Sequence, residues 1–488
     1  MSFNSVDNDK GSIVILGAGP AGLAAALELD KADRKFVIIE KNEVVGGLSR
    51  TLQYGEFKTD IGPHRFFSQN SYLYNLIESL LGEKWVKVNR LTRFYIKGKF
   101  FLYPIELKDA LKQVGFFQSV KIIYDFIIEK IKKIINKKEP LSFEEKVISD
   151  FGRTLAEMNM LNYTEKIWGL PCSQISVDWS KQRIKGLSLF EVLKKIFIGN
   201  KKEGPKSLVE QFYYPDSGNS LIYESIGQKI VISGKNVLNF NSYPLKILND
   251  GKNITEVLLR KEGEGEQFYK VESIISTMPI VDFVKLLEPR APDNILAAAE
   301  NLKFRSHISL FIILNKPSAF PDQWLYFPDK EVPFGRIMEP KNFSKKMSPL
   351  NKTSLLIEFF CWENDKIWNA DKTELFSLSL PVLEKLGFCK KSEVIDYYIH
   401  KEKYAYPVYD LAYKVNLQKI KDYLNQFKNL QCIGRAGSFR YNNQDHALEM
   451  GILAARSIME NKRYNIEEVG AEQAYFERGN LKDNKFKS

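Results

Sequence analysis

A chain of 488 residues, 44% hydrophobic and 27% charged, exceeds what one hydrophobic core usually covers and is too apolar for a disordered polypeptide, so two or three domains are expected. Four scattered cysteines without a C-x-x-C pair, and four histidines without an H-x-x-x-H spacing, exclude a disulfide framework and argue against a metal centre. The net charge, 71 − 60 = +11, points to anionic partners; with no nucleic-acid module in the chain, small anionic molecules and lipid headgroups rank above nucleic acid.

The N-terminal MSFNSVDNDKGS is polar and lacks a basic-then-apolar leader. No later run approaches the roughly 18 uninterrupted apolar residues of a spanning helix, so a cytoplasmic location is expected. SIVILGAGPAGLAAALEL reads as an apolar strand, a glycine turn and an Ala/Leu helix, and KFVIIEK as a second strand ending on Glu40. Gly17, Gly19 and Gly22 have G-x-G-x-x-G spacing, with the acid 23 positions after Gly17. In that pattern Gly17 makes the tight turn, Gly19 lets backbone approach a pyrophosphate and Gly22 lets helix and strand pack closely. The helix start offers its N–H groups to phosphate, and Glu40 accepts hydrogen bonds from a ribose diol.

Past the second strand, KNEVVGGLSRT carries another glycine turn at Gly46 and Gly47, and DIGPHRFFS places His64 after Gly62 and Pro63. A Gly-Pro turn brings backbone close to something flat, so His64 is expected to face a ligand; the alternative is a turn histidine bonded to its own loop. Residues of roughly 100–212 read as helices, GFFQSVKIIYDFIIEKIKKIINKK with a lysine-rich face, then EKVISDFGRTLAEMNMLNYTEKIWG and LSLFEVLKKIFIGNKKEGPK. Alternating apolar runs follow and predict sheet, from VLNFNSYPLKILN through VESIISTMPI and HISLFIILN to SLLIEFFCW. NLQCIGRAGSFRYNNQDHALEMGILAARSIME predicts a strand, a polar loop and a long helix, with a frayed tail after Gly479.

Three distant segments, the second glycine turn, SIISTMP and QCIGRAG, resemble the flavoprotein superfamily of amine oxidases, protoporphyrinogen oxidases and UDP-galactopyranose mutases. The resemblance implies FAD and an α/β fold, an FAD-binding Rossmann-like domain of glutathione-reductase type with a helical insertion and an antiparallel β-sheet substrate domain. The expected division is 1–100, 213–285 and 411–488 for the FAD-binding parts, 101–212 for the insertion and 286–410 for the substrate sheet. It implies cofactor contacts from Gly17, Gly19, Gly22, Glu40, Gly46, Gly47, Gly62, His64, Gly434, Arg435, Asp445 and His446.

The wording is most similar to the UDP-galactopyranose mutases, in GPHRFFS, YTEKIWGLPCSQISVDWSKQRIKG, WLYFPDKEVPFGRI, YAYPVYDL and GRAGSFRYNNQDHALEMG. That similarity implies His64 against the flavin ring, Arg183 on a substrate pyrophosphate, and Tyr406, Tyr441 and Asn443 on the substrate side. It implies ring contraction of a nucleotide-linked sugar through an adduct at flavin N5, in cell-surface glycan synthesis. The family's second diphosphate arginine is missing where it is expected, at Leu314, leaving Arg336 or Arg440 as replacements. Its absence favours the alternative, an oxidoreductase resembling protoporphyrinogen oxidase or amine oxidase that acts on a large apolar or lipid-linked substrate. The basic helical insertion reads either as a packed subdomain with a solvated lysine face or as a peripheral contact with the inner face of an anionic membrane.

Overall fold

The computed structural model describes residues 11–68, 70–103, 113–135, 139–183 and 211–470. The basic stretch 187–206 and the tail after Gly479 lie outside them.

Strands Ser12–Leu16 and Phe36–Ile39 are buried at every residue. Such runs suit a parallel sheet covered on both faces. They pair in parallel, Ile13 to Leu16 against Phe36 to Ile39, inside an eight-stranded sheet. The sheet order is Leu287–Glu288, Ser242–Asn249, Ile254–Lys261, Gly265–Ser276, Ser12–Leu16, Phe36–Ile39, Val237–Asn239, with Leu430–Cys432 also on Gly265–Ser276. Period-two alternation sends Val14, Leu16, Val37 and Ile39 into one core, with Phe126 and Trp168 of the helical region. Ile13, Ile15, Phe36 and Ile38 enter the opposite core, with Leu23 and Ile222. The expected Ala/Leu helix, Pro20–Lys31, lies against the last helix, Gln444–Met459. A Cβ on Gly451 would stand 2.1 Å from the Ala21 carbonyl oxygen, so only glycine permits that approach.

A second sheet of seven strands runs Val394–Pro407, Phe304–Leu314, Thr353–Cys361, Arg336–Met338, Trp324–Tyr326, Thr92–Ile96, Lys99–Leu102. It is antiparallel except where Trp324–Tyr326 meets Thr92–Ile96. Two features depart from the sequence reading. The hairpin over 92–102 joins this sheet rather than the cofactor sheet, because Arg93 pairs with buried Asp322 at 2.6 Å and Phe94 stacks on Tyr326. The strand Val394–Pro407 escapes pattern recognition because its polar side chains, among them His400 and Glu402, are partly buried and partnered rather than solvated.

Trp85–Asn89 pairs with Gln211–Pro215, so the chain leaves and re-enters the cofactor domain at one place. The helical region holds Phe116–Ile135, Phe143–Phe151 with its Ser142/Glu145 capping box, and a run from Arg153 to Trp168 widened to a π-turn at Ala156–Leu161. Among the described residues no helix is long and apolar enough to cross a membrane, and the four cysteines are unbonded.

Candidate active site

Gly17 follows its strand at φ 103°, and a Cβ there would meet the Thr277 hydroxyl at 2.1 Å. On Gly22 a Cβ would be 1.9 Å from the Gly17 carbonyl oxygen, so helix and turn pack backbone to backbone. The second glycine turn closes on the first: Gly46 N–H donates to the Ala18 carbonyl at 2.9 Å, and Gly47 would place a Cβ 3.2 Å from the Gly19 Cα. Buried Glu40 accepts from the Ala18 N–H at 2.7 Å and from Asn42. No side chain caps the helix that starts after Gly19. The loops therefore present bare backbone, the surface a dinucleotide phosphate needs.

Arg50 ties this cradle to the second sheet. Its guanidinium donates to the Gly47 carbonyl at 3.2 Å and to Glu402 at 2.6 Å, beside His400.

The Gly62–Pro63–His64 turn lies on the second sheet. Ser309 donates to the Ile61 carbonyl at 2.8 Å, and a Cβ on Gly62 would stand 2.8 Å from Glu358 Oε1. Glu358 is 1% exposed. Arg336 grips it in a fork through Nε and Nη2, and His307 Nε2 lies 2.9 Å from the same carboxylate. Desolvation opposes the charge, but Arg336 and His307 outweigh it and hold the carboxyl at about 2. His64 Nδ1 is buried without a hydrogen bond among the described residues and lies 3.9 Å from Asp60. Burial, with Arg435 and then Arg336 nearby, depresses this imidazole to about 3, so it is neutral. Asp60 is pushed up to about 6 by desolvation although Thr51, Asn219 and Tyr214 all donate to it.

On the other flank the Tyr406 and Tyr441 rings stack with centroids 5.8 Å apart and planes at 14°. Trp168 and Trp179 meet them edge-on, so Trp168 supports the pair by packing. Arg435 sits 5.4 and 5.1 Å from the two ring centroids, fixed by the Asn442 and Ala405 carbonyls. Burial raises the Tyr406 phenol, keeping it a proton donor. Gln444, at the start of the last helix, donates to the Arg65 carbonyl at 3.1 Å and accepts from Asn219 and Tyr223. Gly434, at φ 76°, would place a Cβ 3.2 Å from that of Ala21, so the far end of the chain rests on the first glycine loop.

The structure thus gathers Gly17, Gly19, Gly22, Glu40, Gly46 and Gly47 in one cradle, and His64, Arg336, Arg435, Tyr406 and Tyr441 in one cluster. Asp445 and His446 are buried in the first turn of the last helix, where burial lowers the His446 imidazole to about 3. Asn443 is exposed at the N-cap, its N–H on His446 Nδ1 at 3.3 Å, and does not join the cluster. Arg183 ends the short helix Asp178–Arg183, and its side chain lies outside the described part. Of the two replacement arginines, Arg336 lies in the cluster, while Arg440 turns away to the Glu467 carbonyl. Arg305 is buried on the Ile167 and Phe360 carbonyls, as a strut. Sequence reasoning missed Glu358, His307, Arg50 and Gln444. For the first two a signal existed: an ionisable residue inside an apolar strand run, as in SLLIEFFCW and HISLFIIL, requires a buried partner.

The model of the family described as "Flavin containing amine oxidoreductase" matches residues 20–459. The Klebsiella pneumoniae protein named "Probable UDP-galactopyranose mutase" is 29% identical over 180 residues, 36% of this chain and 45% of that protein, so the match spans less than half of the relative. A crystal structure of reduced UDP-galactopyranose mutase superposes with a TM-score of 0.79 at 23% identity, covering 95% of this chain and 98% of the other. A protoporphyrinogen-oxidase-like protein from Exiguobacterium sp. 255-15 superposes at 0.70 and 18% identity, covering 93% of this chain and all of the other. At those identities the structural likeness shows the fold, which agrees with the α/β architecture anticipated from the sequence. The family match extends from the first glycine-loop helix to the end of the last helix, the two elements that close the cradle, and from it we conclude that this chain belongs to the flavin-containing amine oxidoreductase family and is an FAD-dependent enzyme.

Proposed function

We propose that the chain isomerises a nucleotide-linked sugar between pyranose and furanose rings, in the manner of a UDP-galactopyranose mutase supplying cell-surface glycan synthesis. The observation that carries this reading is the Arg435 guanidinium set against a stacked tyrosine pair beside a neutral imidazole. Cations and protonated phenols are the groups that hold and release a diphosphate. When bound, FAD supplies an electron-rich ring able to act on the sugar's anomeric carbon. His64 Nδ1, which makes no hydrogen bond among the described residues, is assigned to the flavin edge, where a neutral imidazole donates or accepts without adding charge. Tyr406, Tyr441 and Arg183 are assigned to the leaving diphosphate, and the buried aromatic wall of Trp168 and Trp179 excludes water behind them.

The full pairing of Arg336 with Glu358 favours a second reading, since it neutralises a charge that a diphosphate would use. That reading is an oxidoreductase acting on a large apolar or lipid-linked substrate. The deciding experiment presents UDP- and dTDP-hexoses to the oxidised and to the dithionite-reduced enzyme. The mutase reading expects a furanose product only from the reduced form. Rapid turnover of the flavin with release of an oxidised product, and no ring isomer, overturns it.

A further inference from the structure

We propose that helix Phe116–Ile135 seats this protein on an anionic phospholipid bilayer. Phe117, Val120, Tyr124, Ile127, Ile131 and Ile134 recur at alternating steps of three and four, which puts them on one helix face. That face is not the one the fold uses. Ile122 and Phe126 are the helix's buried residues, and its packing surface is fixed by Gly152, where a Cβ would stand 2.7 Å from the Phe126 nitrogen. Asp125 adds an anchor by accepting from the Thr154 N–H at 3.1 Å. The helix is therefore held to the body by one stripe and carries a second apolar stripe outward.

The outward stripe is large. Phe116 is 77% exposed, Phe117 88% and Ile135 78%, with Val120, Tyr124, Ile127, Ile131 and Ile134 exposed between them. Soluble proteins rarely leave contiguous apolar surface of this extent without a partner. The charges beside it choose among partners. Lys121 is exposed, and Lys132, though it reaches Glu129, keeps 64% of its side chain in solvent. A second copy of the helix would set lysines against lysines. The chain's own apolar stretch LSLFEVLKKIFIGNKKEGPK is lysine-rich too, and as an occupant would set like charge against the lysines of this helix. An anionic headgroup layer accepts the apolar stripe and the lysines together, the ammonium groups reaching out to phosphate while the rings and aliphatic chains enter the acyl boundary. The proposal does not depend on which reaction the flavin site performs.

The test is flotation of the full-length, flavin-loaded protein with vesicles of phosphatidylcholine mixed with phosphatidylglycerol, and with phosphatidylcholine alone. Co-flotation with the mixed vesicles, weakened by added salt and much reduced on phosphatidylcholine, is expected. A triple variant Phe117→Asp, Ile127→Asp, Ile131→Asp keeps its flavin and its melting temperature, because these side chains are exposed, and loses vesicle binding by about tenfold or more. Lys121→Gln with Lys132→Gln weakens binding on anionic vesicles by several-fold and leaves the residual neutral-vesicle binding unchanged. The proposal falls if the wild type remains at the bottom of the gradient, or if the triple variant floats like the wild type. It falls equally if sedimentation shows a wild-type dimer that the triple variant dissolves while neither protein binds vesicles, which would make a second copy the partner.

Discussion

Glu358 is almost wholly buried, and its charge persists because Arg336 and His307 both reach it. Glu358→Gln leaves the Arg336 guanidinium buried without its counter-charge and is expected to destabilise the protein by about 3–5 kcal/mol in urea unfolding, whereas Arg336→Met with Glu358→Leu recovers most of that loss. A Glu358→Gln protein unfolding at the wild-type midpoint would contradict the assignment. The three perturbed groups near the cradle give a pH signature. His64 and His446, both depressed from 6.5 to about 3, leave the unfolded chain holding more protons below pH 6.5. Their contribution is full above that pH and declines as pH falls toward 3, by up to about 1.4 kcal/mol per unit for each imidazole. Asp60, raised from 3.8 to about 6, has the opposite sign: the folded state holds a proton there that the unfolded chain releases, so its contribution is present below 3.8 and lost as pH rises through 6. Between pH 4 and 6 it offsets one of the two imidazoles. His64→Gln should then flatten the stability profile across that window, and an unchanged slope in denaturant titrations would refute the depressed basicity of its imidazole.

Among elements, the β-α-β unit was readable from the sequence because glycine spacing and doubly buried apolar runs coincide in it, and the lysine-faced helix because its periodicity spans five turns. The strand Val394–Pro407 and the carboxylate centre were not readable, since both depend on which residues face each other across strands. Arg336 meets Glu358 only because the three-residue strand Arg336–Met338 pairs with Thr353–Cys361 in one register, and one residue of slip would put them on opposite faces. The helix run ending at Trp168 stops locally, at Gly169 in the left-handed region at φ 63°, and the non-local part is the Arg305 guanidinium, which would stand 2.4 Å from a Cβ there. At the first glycine loop the obstruction is backbone and cannot turn aside. Gly22→Ala should yield protein without visible flavin absorbance, whereas Gly55→Ala, with nothing within 4 Å of its Cβ position, should stay yellow at a modest stability loss of about 1 kcal/mol. A yellow Gly22→Ala protein would remove the close helix–strand contact from the account.

For the whole molecule, the two sheets are joined at the cofactor cradle by Arg50, whose bonds run from Gly47 to Glu402. Arg50→Met is expected to weaken flavin retention by about tenfold or more in equilibrium dialysis, without touching any group assigned to the substrate. Retention equal to the wild type would show that the sheets hold the cradle independently. The order in which the parts arrive has its own consequence. The cradle opened by Ser12–Leu16 is completed by Leu430–Cys432 and by the helix lying on Ala21 through Gly451. A ribosome must therefore translate past Gly451 before the flavin can be enclosed. A polypeptide terminated by a stop codon ahead of Leu430 should accumulate colourless however well the preceding residues fold, and cofactor loading in the cell follows synthesis of the helix Gln444–Met459.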